Sequence, residues 1–407
     1  MTYDVVVVGG GAAGLTAGLS AARSGARVLI LERGPRPGRK ILVTGNGRCN
    51  LTNALADGIE HYRGAEPRFC YGALRRFPVA DTLAFFSKLG VPCVDEGDGH
   101  YYPRSFSAAD VADSLELSYR EAGGEVVANA RVVGLTPGPP WVAAGAGGRS
   151  WSARALVLAT GGRSAPKTGS DGDGFSLASK LGHRVTPSAP AIVPLTLAGN
   201  LGHFLQGVKV TATLRAPRSG AEAGPAELMF AHYGVSGPLV LGLSVEIGLA
   251  LEGGPMDLEL DLLPEMGLGE LSTFLQSRAL AHPRRELGNL LLGVLPRKVL
   301  PAVLRQQGID PGKSVACLTR ELRERLVPLL KSYPLVCTGT LGWDEAAATL
   351  GGVDTSGVEP KTLESRMHPG LFFAGEVLDV CGECGGFNLQ WAWSSGYVAG
   401  LNAAGAD

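Results

Sequence analysis

A strand, a glycine-rich turn and a helix open the sequence in direct succession, and this order restricts the fold more than any other feature. Val5–Val8 is a run of β-branched residues, which predicts a buried strand. Gly9, Gly11 and Gly14 follow with the spacing G-x-G-x-x-G, and a helical pattern of apolar residues continues as far as Gly25. Such glycines allow a tight turn and let the backbone approach a phosphate, which the positive end of the helix dipole attracts. The stretch predicts the first βα unit of a dinucleotide-binding domain.

An acidic residue at the end of the second strand supports the same interpretation. The apolar run Arg27–Leu31 ends at Glu32, which lies 18 residues after Gly14. A carboxylate at this distance accepts hydrogen bonds from ribose hydroxyl groups in dinucleotide-binding folds. An ordinary tight turn would leave Glu32 unexplained, so we predict a bound dinucleotide. The motif alone does not distinguish FAD from NAD.

Three later segments favour FAD. ARALVLATGG at 153–162 and HPGLFFAGEVLDV at 368–380 contain apolar strands followed by glycine turns, and CGECGGFNLQWAWSSG at 381–396 leads from two glycines into a helix. Flavoproteins of the glutathione-reductase-like superfamily have similar segments, and in them the last helix points its N-terminus at the pyrimidine edge of the flavin. A helix dipole there would stabilise the negative charge that develops on reduction. An NAD dehydrogenase has no need for such a C-terminal segment.

Longer motifs resemble one specific family. They are GRKILVTGNGRCNLTN at 38–53, ATGGRSAPKTGSDGDG at 159–174, FAHYGVSGP at 230–238 and the glycine-rich stretch 351–400. In this order they resemble the bacterial NAD(P)/FAD-dependent oxidoreductase family of BaiN/YhiN-type flavoproteins, over nearly the whole chain. The resemblance implies an FAD domain made from both chain ends, with the substrate region inserted between them.

The expected fold is therefore of the α/β class, with a Rossmann-like FAD-binding domain, an inserted β-sheet or barrel domain and a small helical subdomain. We place the FAD domain at 1–185 and 346–407. Residues 190–262 alternate short apolar runs with turns, which predicts the β-rich insertion. Residues 263–345 are expected to form short helices, including one across RRELGNLLLGVLPRKVLPAVLRQQ.

The resemblance and the motifs together predict a set of cofactor-binding residues that is spread along the chain. This set is Gly9, Gly11, Ala13, Gly14, Glu32, Arg33, Lys40, Gly45, Gly47, Arg48, Asn50, Thr160, Gly161, Gly375, Glu376, Gly386, Phe387, Asn388 and Leu389.

Three residues are candidates for catalysis. A phosphate or a flavin carbonyl is the expected partner of Arg48. Cys49 lies roughly where disulfide reductases have a redox cysteine, but no C-x4-C partner follows, and packing or flavin contact is the other interpretation. His232, in the inserted region, is the best acid or base candidate because the pKa of a histidine lies near neutral pH.

Two further motifs have competing interpretations. Cys381 and Cys384 form a C-x-x-C pair that is unusual for the family, and it is either a redox dithiol or two small residues in a turn. We favour the turn. A disulfide reductase of this superfamily needs a separate NAD(P)H domain, marked by a second G-x-G-x-x-G after a strand, and the sequence contains no such motif. The loop GSDGDG at 169–174 lacks the ligand spacing of a calcium site, so we predict no metal and a backbone turn near the cofactor.

Composition restricts the remaining possibilities. Apolar residues make up 45% of the 407 residues and the net charge is −1, so no overall attraction to nucleic acid or membrane is expected. The N-terminus has no signal-peptide pattern, and the seven scattered cysteines fit free thiols, so we predict a cytoplasmic protein. Between Arg278 and Lys331, however, eleven basic and four acidic residues give a local net charge of +7.

These observations predict an FAD-dependent oxidoreductase, with NAD(P)H as the electron donor. Members of the family reduce an activated carbon–carbon double bond, either in a bile-acid enone or in a uracil of ribosomal RNA. The basic stretch raises the RNA possibility, and a small enone is the other. Two alternatives remain open: a thiol oxidoreductase that uses Cys381 and Cys384, and a flavoprotein that only binds RNA or a partner. The substrate, the choice between NADH and NADPH, and the oligomeric state are left open by the sequence.

Overall fold

The computed structural model describes residues 2–406, which form two compact units. The first contains residues up to 191 and from 343 onwards, and we call it the split unit. The second contains residues 192–342, and we call it the inserted unit. None of the helices within residues 2–406 is long and apolar enough to cross a bilayer.

Twenty strands and eleven α-helices are present in the described residues. The strands are β1 Thr2–Val8, β2 Val28–Leu31, β3 Thr52–Asn53, β4 Tyr62–Arg63, β5 Cys93–Asp95, β6 His100–Pro103, β7 Glu125–Val127, β8 Val132–Thr136, β9 Trp141–Gly145, β10 Ser150–Leu158, β11 Ala189–Ala191, β12 Leu195–Leu197, β13 Lys209–Ala216, β14 Ala221–Ala231, β15 Gly234–Ser236, β16 Met256–Asp261, β17 Tyr333–Thr340, β18 Ala348–Leu350, β19 Leu371–Phe373 and β20 Cys381–Gly382. The helices are α1 Ala12–Arg23, α2 Tyr71–Arg76, α3 Val79–Lys88, α4 Ala108–Glu121, α5 Asp173–Lys180, α6 Leu201–Phe204, α7 Pro238–Ala250, α8 Leu268–Ala281, α9 Val299–Gln306, α10 Arg320–Lys331 and α11 Phe387–Ala404.

The main sheet of the split unit joins the two ends of the chain. Its strands β7, β2, β1 and β10 are adjacent and parallel, and β19 adds in parallel beside the C-terminal half of β10. Antiparallel β9 and β8 continue the sheet beside the N-terminal half of β10. The predicted strand Val5–Val8 is the buried part of β1, because helices cover the sheet. The predicted α/β class with an FAD-type Rossmann domain is confirmed.

Helices α1 and α11 pack directly against each other in this unit. Two glycines of α11 make the close approach possible. A Cβ atom on Gly396 would lie 2.4 Å or so from the carbonyl oxygen of Ala13, and one on Gly400 would collide with Ala17 and Ser20. The C-terminal helix is therefore fitted to the helix of the first glycine motif.

The inserted unit is built on a closed barrel. Five of its strands lie in 190–262, where a β-sheet or barrel was expected, but β17 lies in the stretch 263–345 that was expected to form helices. Six antiparallel strands form it in the order β12, β15, β14, β13, β16 and β17. The stretch 190–262 also contains the short helix α6 and the longer helix α7, and α7 begins with Pro238 as its first residue. Its residues are apolar on nearly all sides, so the sequence pattern has neither the strand nor the helix period.

The basic stretch that follows is less helical than the sequence suggested. The helix expected across 284–307 is wrong for most of its length, because only α9 is α-helical there and 287–289 form a single 3-10 turn. Pro296 stops a helix from continuing through this region, and Gly293 adopts a left-handed φ of 84°. The helices and the barrel share one apolar core, which includes Leu258, Leu275 and Leu330. The finer division of this unit at 262/263 stays a prediction.

Candidate functional site

A long cleft lies at the carboxyl end of the parallel strands in the split unit, where α/β sheets usually bind their ligands. It encloses about 1200 Å³ of empty space, including its opening to solvent. Its walls come from the residues that follow four strands and from the first turns of two helices. These are 8–13 after β1, 31–33 after β2, 159–161 after β10, 374–376 after β19, and Asn388 and Leu389 of α11.

The glycine turn shapes one end of this cleft. A Cβ atom on Gly9 would lie 2.5 Å from the carbonyl oxygen of Ala159, and one on Gly14 would collide with the carbonyl oxygen of Gly9. A Cβ atom on Gly11 would meet nothing within 4 Å, so the space beside Gly11 is open to a ligand. Helix α1 has no side-chain cap and no acid in its first turn, which leaves its N-terminal N–H groups available for an anion.

Glu32 is held with its carboxylate at the edge of the cleft. Its Oε2 accepts a hydrogen bond from the backbone N–H of Gly10 at 2.8 Å, and its Oε1 accepts one from the N–H of Gly34 at 2.6 Å. The side chain is buried. These two bonds fix the carboxylate while leaving lone pairs for hydroxyl donors of a ligand.

A charged network lines the middle of the cleft. The ammonium group of Lys40 lies 2.7 Å from Oε2 of Glu376 and donates to the hydroxyl of Ser164 at 2.5 Å. The Ser164 hydroxyl in turn donates to Oε1 of Glu376 at 2.7 Å. Burial alone would raise the pKa of Glu376, but the Lys40 charge and the hydroxyls of Ser164 and Thr349 bring it below its ordinary value. Glu376 is therefore ionised at neutral pH.

A second network closes the cleft beside Glu32. Arg33 pairs with Asp171 and lies 3.1 Å from Asp173, while Arg131 contacts Asp173 at 2.7 Å. The two aspartates belong to the loop GSDGDG, whose residues 169–171 line the cleft. Their partners are arginine side chains, and no group of three or more metal-ligating side chains occurs among residues 2–406.

The first turn of α11 is anchored by a buried polar network. Oε1 of Gln390 accepts a hydrogen bond from the Thr52 hydroxyl at 2.6 Å, and its Nε2 donates to the hydroxyls of Thr82 and Ser394. These four side chains are fully buried. The network ties the N-terminal end of α11, where Asn388 and Leu389 line the cleft, to the strand that follows the loop 44–51.

The structure brings most of the predicted cofactor-binding residues together, but not all. Those that line the cleft are Gly9, Gly11, Ala13, Glu32, Arg33, Lys40, Thr160, Gly161, Gly375, Glu376, Asn388 and Leu389. Those that do not line it are Gly14, Gly45, Gly47, Arg48, Asn50, Gly386 and Phe387. Gly14 is instead required for the turn itself, and the amide oxygen of Asn50 is buried with no hydrogen-bond partner among residues 2–406.

The three catalytic candidates lie in different environments. Cys49 is fully buried, and burial raises the pKa of its thiol to about 12. Arg48 extends away from the cleft and pairs with Glu96. His232 belongs to the inserted unit, where it is exposed at the tip of the β14–β15 hairpin with its ring centroid 6.3 Å from that of His203.

Several cleft residues were missed by the sequence reasoning. They include Arg39, Ile41, Thr44, Arg131 and Thr168, whereas Ser170, Asp171 and Asp173 belong to the loop 169–174 that was expected near the cofactor. Arg39 and Ile41 adjoin the predicted Lys40, so the motif GRKI was a usable signal. Arg131 had no such signal in the sequence. Its position at the cleft depends on how the strands pair across the sheet and not on a local sequence pattern.

Comparison with known proteins identifies the family. A family model described as the HI0933-like protein Rossmann domain matches residues 3–402 of the chain. The chain belongs to the HI0933-like family. This confirms the recognised resemblance, and with it the prediction of an FAD-dependent oxidoreductase.

Two relatives match this HI0933-like chain over nearly its full length. The 3-dehydro-bile acid delta(4,6)-reductase of Clostridium scindens is 38% identical over 98% of this chain and 98% of its own. The ribosomal RNA dihydrouridine synthase of Escherichia coli is 34% identical over 97% of this chain and 96% of its own.

Two solved structures resemble the HI0933-like chain in fold. The 3-ketosteroid-delta4-(5alpha)-dehydrogenase from Rhodococcus jostii, in complex with 4-androstene-3,17-dione, has a TM-score of 0.51 at 18% identity and covers 99% of this chain and 97% of its own. The 3-ketosteroid delta1-dehydrogenase from Sterolibacterium denitrificans has a TM-score of 0.53 at 15% identity, with 99% of each chain covered. At these identities the similarity shows the fold alone.

The C-x-x-C pair of this HI0933-like protein lies just before α11. Cys381 is buried in β20, and burial raises the pKa of its thiol to about 12. Cys384 is exposed in the turn before the helix, and neither cysteine is in a disulfide. At neutral pH the Cys381 thiol is therefore protonated, and it lacks the thiolate character of a reactive dithiol.

Proposed function

We propose that this protein uses bound FAD and a diffusible NAD(P)H donor to reduce a carbon–carbon double bond conjugated to a carbonyl group. The observation that carries the proposal is the single cleft that extends from the N-terminus of α1 past Glu32 to the N-terminus of α11. Two relatives of nearly full-length similarity, named for a bile-acid reductase and for dihydrouridine synthesis, support the same reaction class.

The residues along the cleft fit FAD in order. The N–H groups of α1 beside Gly11 would bind the pyrophosphate, and the carboxylate of Glu32 would accept hydrogen bonds from the adenosine ribose. Glu376, ionised and held by Lys40 and Ser164, would accept from hydroxyls of the ribityl chain. The first turn of α11 would face the flavin ring and stabilise negative charge on it.

Reduction of a conjugated double bond requires two additions. FAD, once bound and reduced by NAD(P)H, would supply the hydride for the β-carbon. The protein has to supply the proton for the α-carbon, and we propose His232 as the donor. Its exposed position on a hairpin tip leaves the ring accessible, and Tyr233 and His203 lie beside it with ring centroids at 5.1 and 6.3 Å.

A small enone is the first candidate substrate, and a uracil in RNA is the second. The basic stretch favours the second, because Arg284, Arg297 and Lys298 are exposed and have no acidic partner among residues 2–406. Two segments of the basic stretch also lie close together, since the backbone N–H of Val315 donates a hydrogen bond to the carbonyl oxygen of Arg285 at 2.7 Å.

NAD(P)H and RNA are both cytoplasmic, so we propose the cytoplasm as the location of this protein.

The thiol oxidoreductase alternative has less support. Burial raises the pKa of both the Cys381 and the Cys384 thiols, so neither has the lowered pKa of an attacking redox thiol. The binding-only alternative predicts an FAD-containing protein that NAD(P)H does not reduce.

Anaerobic reduction tests the proposal. The purified holoprotein should bleach on addition of NADH or NADPH, and the reduced protein should be reoxidised by a 3-keto-4-ene steroid or by a uridine-containing RNA. Bleaching without reoxidation by either acceptor would contradict double-bond reduction, and no bleaching with either donor would favour the binding-only alternative.

His232→Gln tests the proton donor. We expect a loss of about 10²- to 10⁴-fold in kcat, with FAD content unchanged. His203→Gln is the matched control, and an equal loss in both variants would argue that the hairpin is perturbed and that His232 is not the acid.

A further inference from the structure

Three planar side chains are gathered on one surface of the split unit. The guanidinium carbon of Arg48 lies 4.4 Å from the ring centroid of Tyr102 and 4.8 Å from that of Phe106. The two ring centroids are 6.0 Å apart. Glu96 pairs with Arg48, so the guanidinium is held in place and its charge is balanced.

The backbone at Phe106 is strained for a large residue. Its φ is 52°, in the left-handed region that disfavours a bulky side chain. Burial does not explain the choice of residue, because 40% of Phe106 is exposed. Asparagine or glycine would adopt this backbone with less strain. Because Phe106 is both strained and exposed, we infer that its ring serves ligand binding and not the stability of the fold.

This surface adjoins the cleft through a single loop. Thr44 lines the cleft, and a Cβ atom on the next residue, Gly45, would lie 3.5 Å from Cε1 of Tyr102. The same loop carries Arg48 onto the two rings, and Val43 beside it is 57% exposed. One side of the loop therefore belongs to the cofactor cleft, and the other side forms an exposed apolar and aromatic surface.

We propose that Tyr102, Arg48 and Phe106 form a stacking platform that binds the planar conjugated ring of the substrate. Flat rings stack on aromatic faces and on guanidinium planes. A ring with a double bond conjugated to a carbonyl, as in a steroid enone or a uracil, has the required flat shape and no net charge. The platform rests on the proposed function, and it reassigns Arg48 from the cofactor to the substrate.

Phe106→Asn separates this role from a structural one. Asparagine suits the left-handed backbone, so the thermal midpoint should stay within about 2 °C of the wild type. Substrate binding should weaken about tenfold, because the exposed stacking face is lost. Phe106→Trp keeps a stacking face and should retain binding. Tyr71→Ala removes another exposed aromatic residue of the split unit, which also has an arginine neighbour, and should change neither property.

Binding is measured on the oxidised holoenzyme from the change in flavin absorbance on titration with 4-androstene-3,17-dione and, separately, with a short uridine oligoribonucleotide. One of the two probes should bind tightly to wild type and to Phe106→Trp but weakly to Phe106→Asn. That probe shows whether the substrate ring belongs to a steroid enone or to a uracil in RNA. Equal binding by wild type and Phe106→Asn overturns the platform and leaves the proposed function standing. A wild type that neither binds nor reduces either probe overturns both.

Discussion

The cleft of the split unit and the basic stretch of the inserted unit differ in how their charges are partnered. In the split unit several charges along the cleft form ion pairs, as in Lys40 with Glu376 and Arg33 with Asp171. In the inserted unit, cations such as Arg297 and Lys298 are exposed and, among residues 2–406, have no acidic partner. Paired charges fix the shape of a site for one ligand of defined size, whereas unpaired surface cations attract polyanions of any sequence. The cofactor site and the proposed RNA surface should therefore respond independently to mutation.

The largest effect is expected from Gly11→Val. A Cβ atom there meets no protein atom within 4 Å, so we expect the apoprotein to fold, but the valine side chain would fill the space proposed for the pyrophosphate. FAD affinity should fall by about 100-fold or more, close to 3 kcal/mol. The measurement is FAD binding to apoprotein by fluorescence quenching, with thermal unfolding as the check on folding.

Gly269→Ala in the inserted unit is the matched control, since its Cβ atom also meets nothing within 4 Å and it lies in α8. This variant should keep normal FAD affinity and gain up to about 1 kcal/mol of stability. If Gly11→Val retained FAD, the pyrophosphate could not lie beside Gly11.

Charge reversal should affect only the inserted unit. In a variant with Arg284, Arg285, Arg297 and Lys298 all changed to glutamate, RNA affinity at low salt should fall about 100-fold, and the salt dependence should flatten. FAD content should not change, because none of these residues lines the cleft. Affinity measured at two salt concentrations tests this, and equal, salt-independent binding by both proteins would favour a small enone as the substrate.

Glu32→Ala should weaken FAD binding by an intermediate amount. The change removes the proposed ribose acceptor and also leaves the N–H groups of Gly10 and Gly34 without their partner. A loss of about 1–3 kcal/mol in FAD binding is expected. Glu32→Gln keeps one acceptor oxygen and should lose less FAD-binding free energy than Glu32→Ala. Titration of the apoprotein with FAD measures both losses. Colourless wild-type protein that ignores added FAD would contradict the whole assignment.

The smallest effect is expected from Cys381→Ser/Cys384→Ser. With the pKa of Cys381 raised to about 12 by burial, the thiol stays protonated throughout the pH range of the assay. Turnover should stay within about twofold of the wild type and flavin should be retained. Loss of turnover with flavin retained, together with a titratable dithiol in the wild type, would restore the redox interpretation.

The parts of the site that could be predicted from the sequence are those that depend on local order. Gly9, Gly11 and Glu32 are fixed by one continuous βα unit, so their spacing alone locates them at the cleft. Arg48, which was predicted to bind the cofactor, does not line the cleft, because its direction is set by contacts with Tyr102 and Phe106, more than 50 residues away in the sequence. The helix expected across 284–307 failed for a similar reason, since apolar spacing suggested a helix that Pro296 interrupts.

The strand order of the split unit determines when its parts can fold during synthesis. The flank of β10 that β19 covers stays unpaired until residues 371–373 exist, and α1 lacks its packing partner until α11 has been synthesised. The inserted unit, by contrast, is one continuous segment and can fold as soon as residue 342 has left the ribosome. Cofactor loading is therefore a late event, which follows the synthesis of α11. Until then the first βα unit exposes apolar surface, and this interval is when the nascent protein is most vulnerable to aggregation and proteolysis.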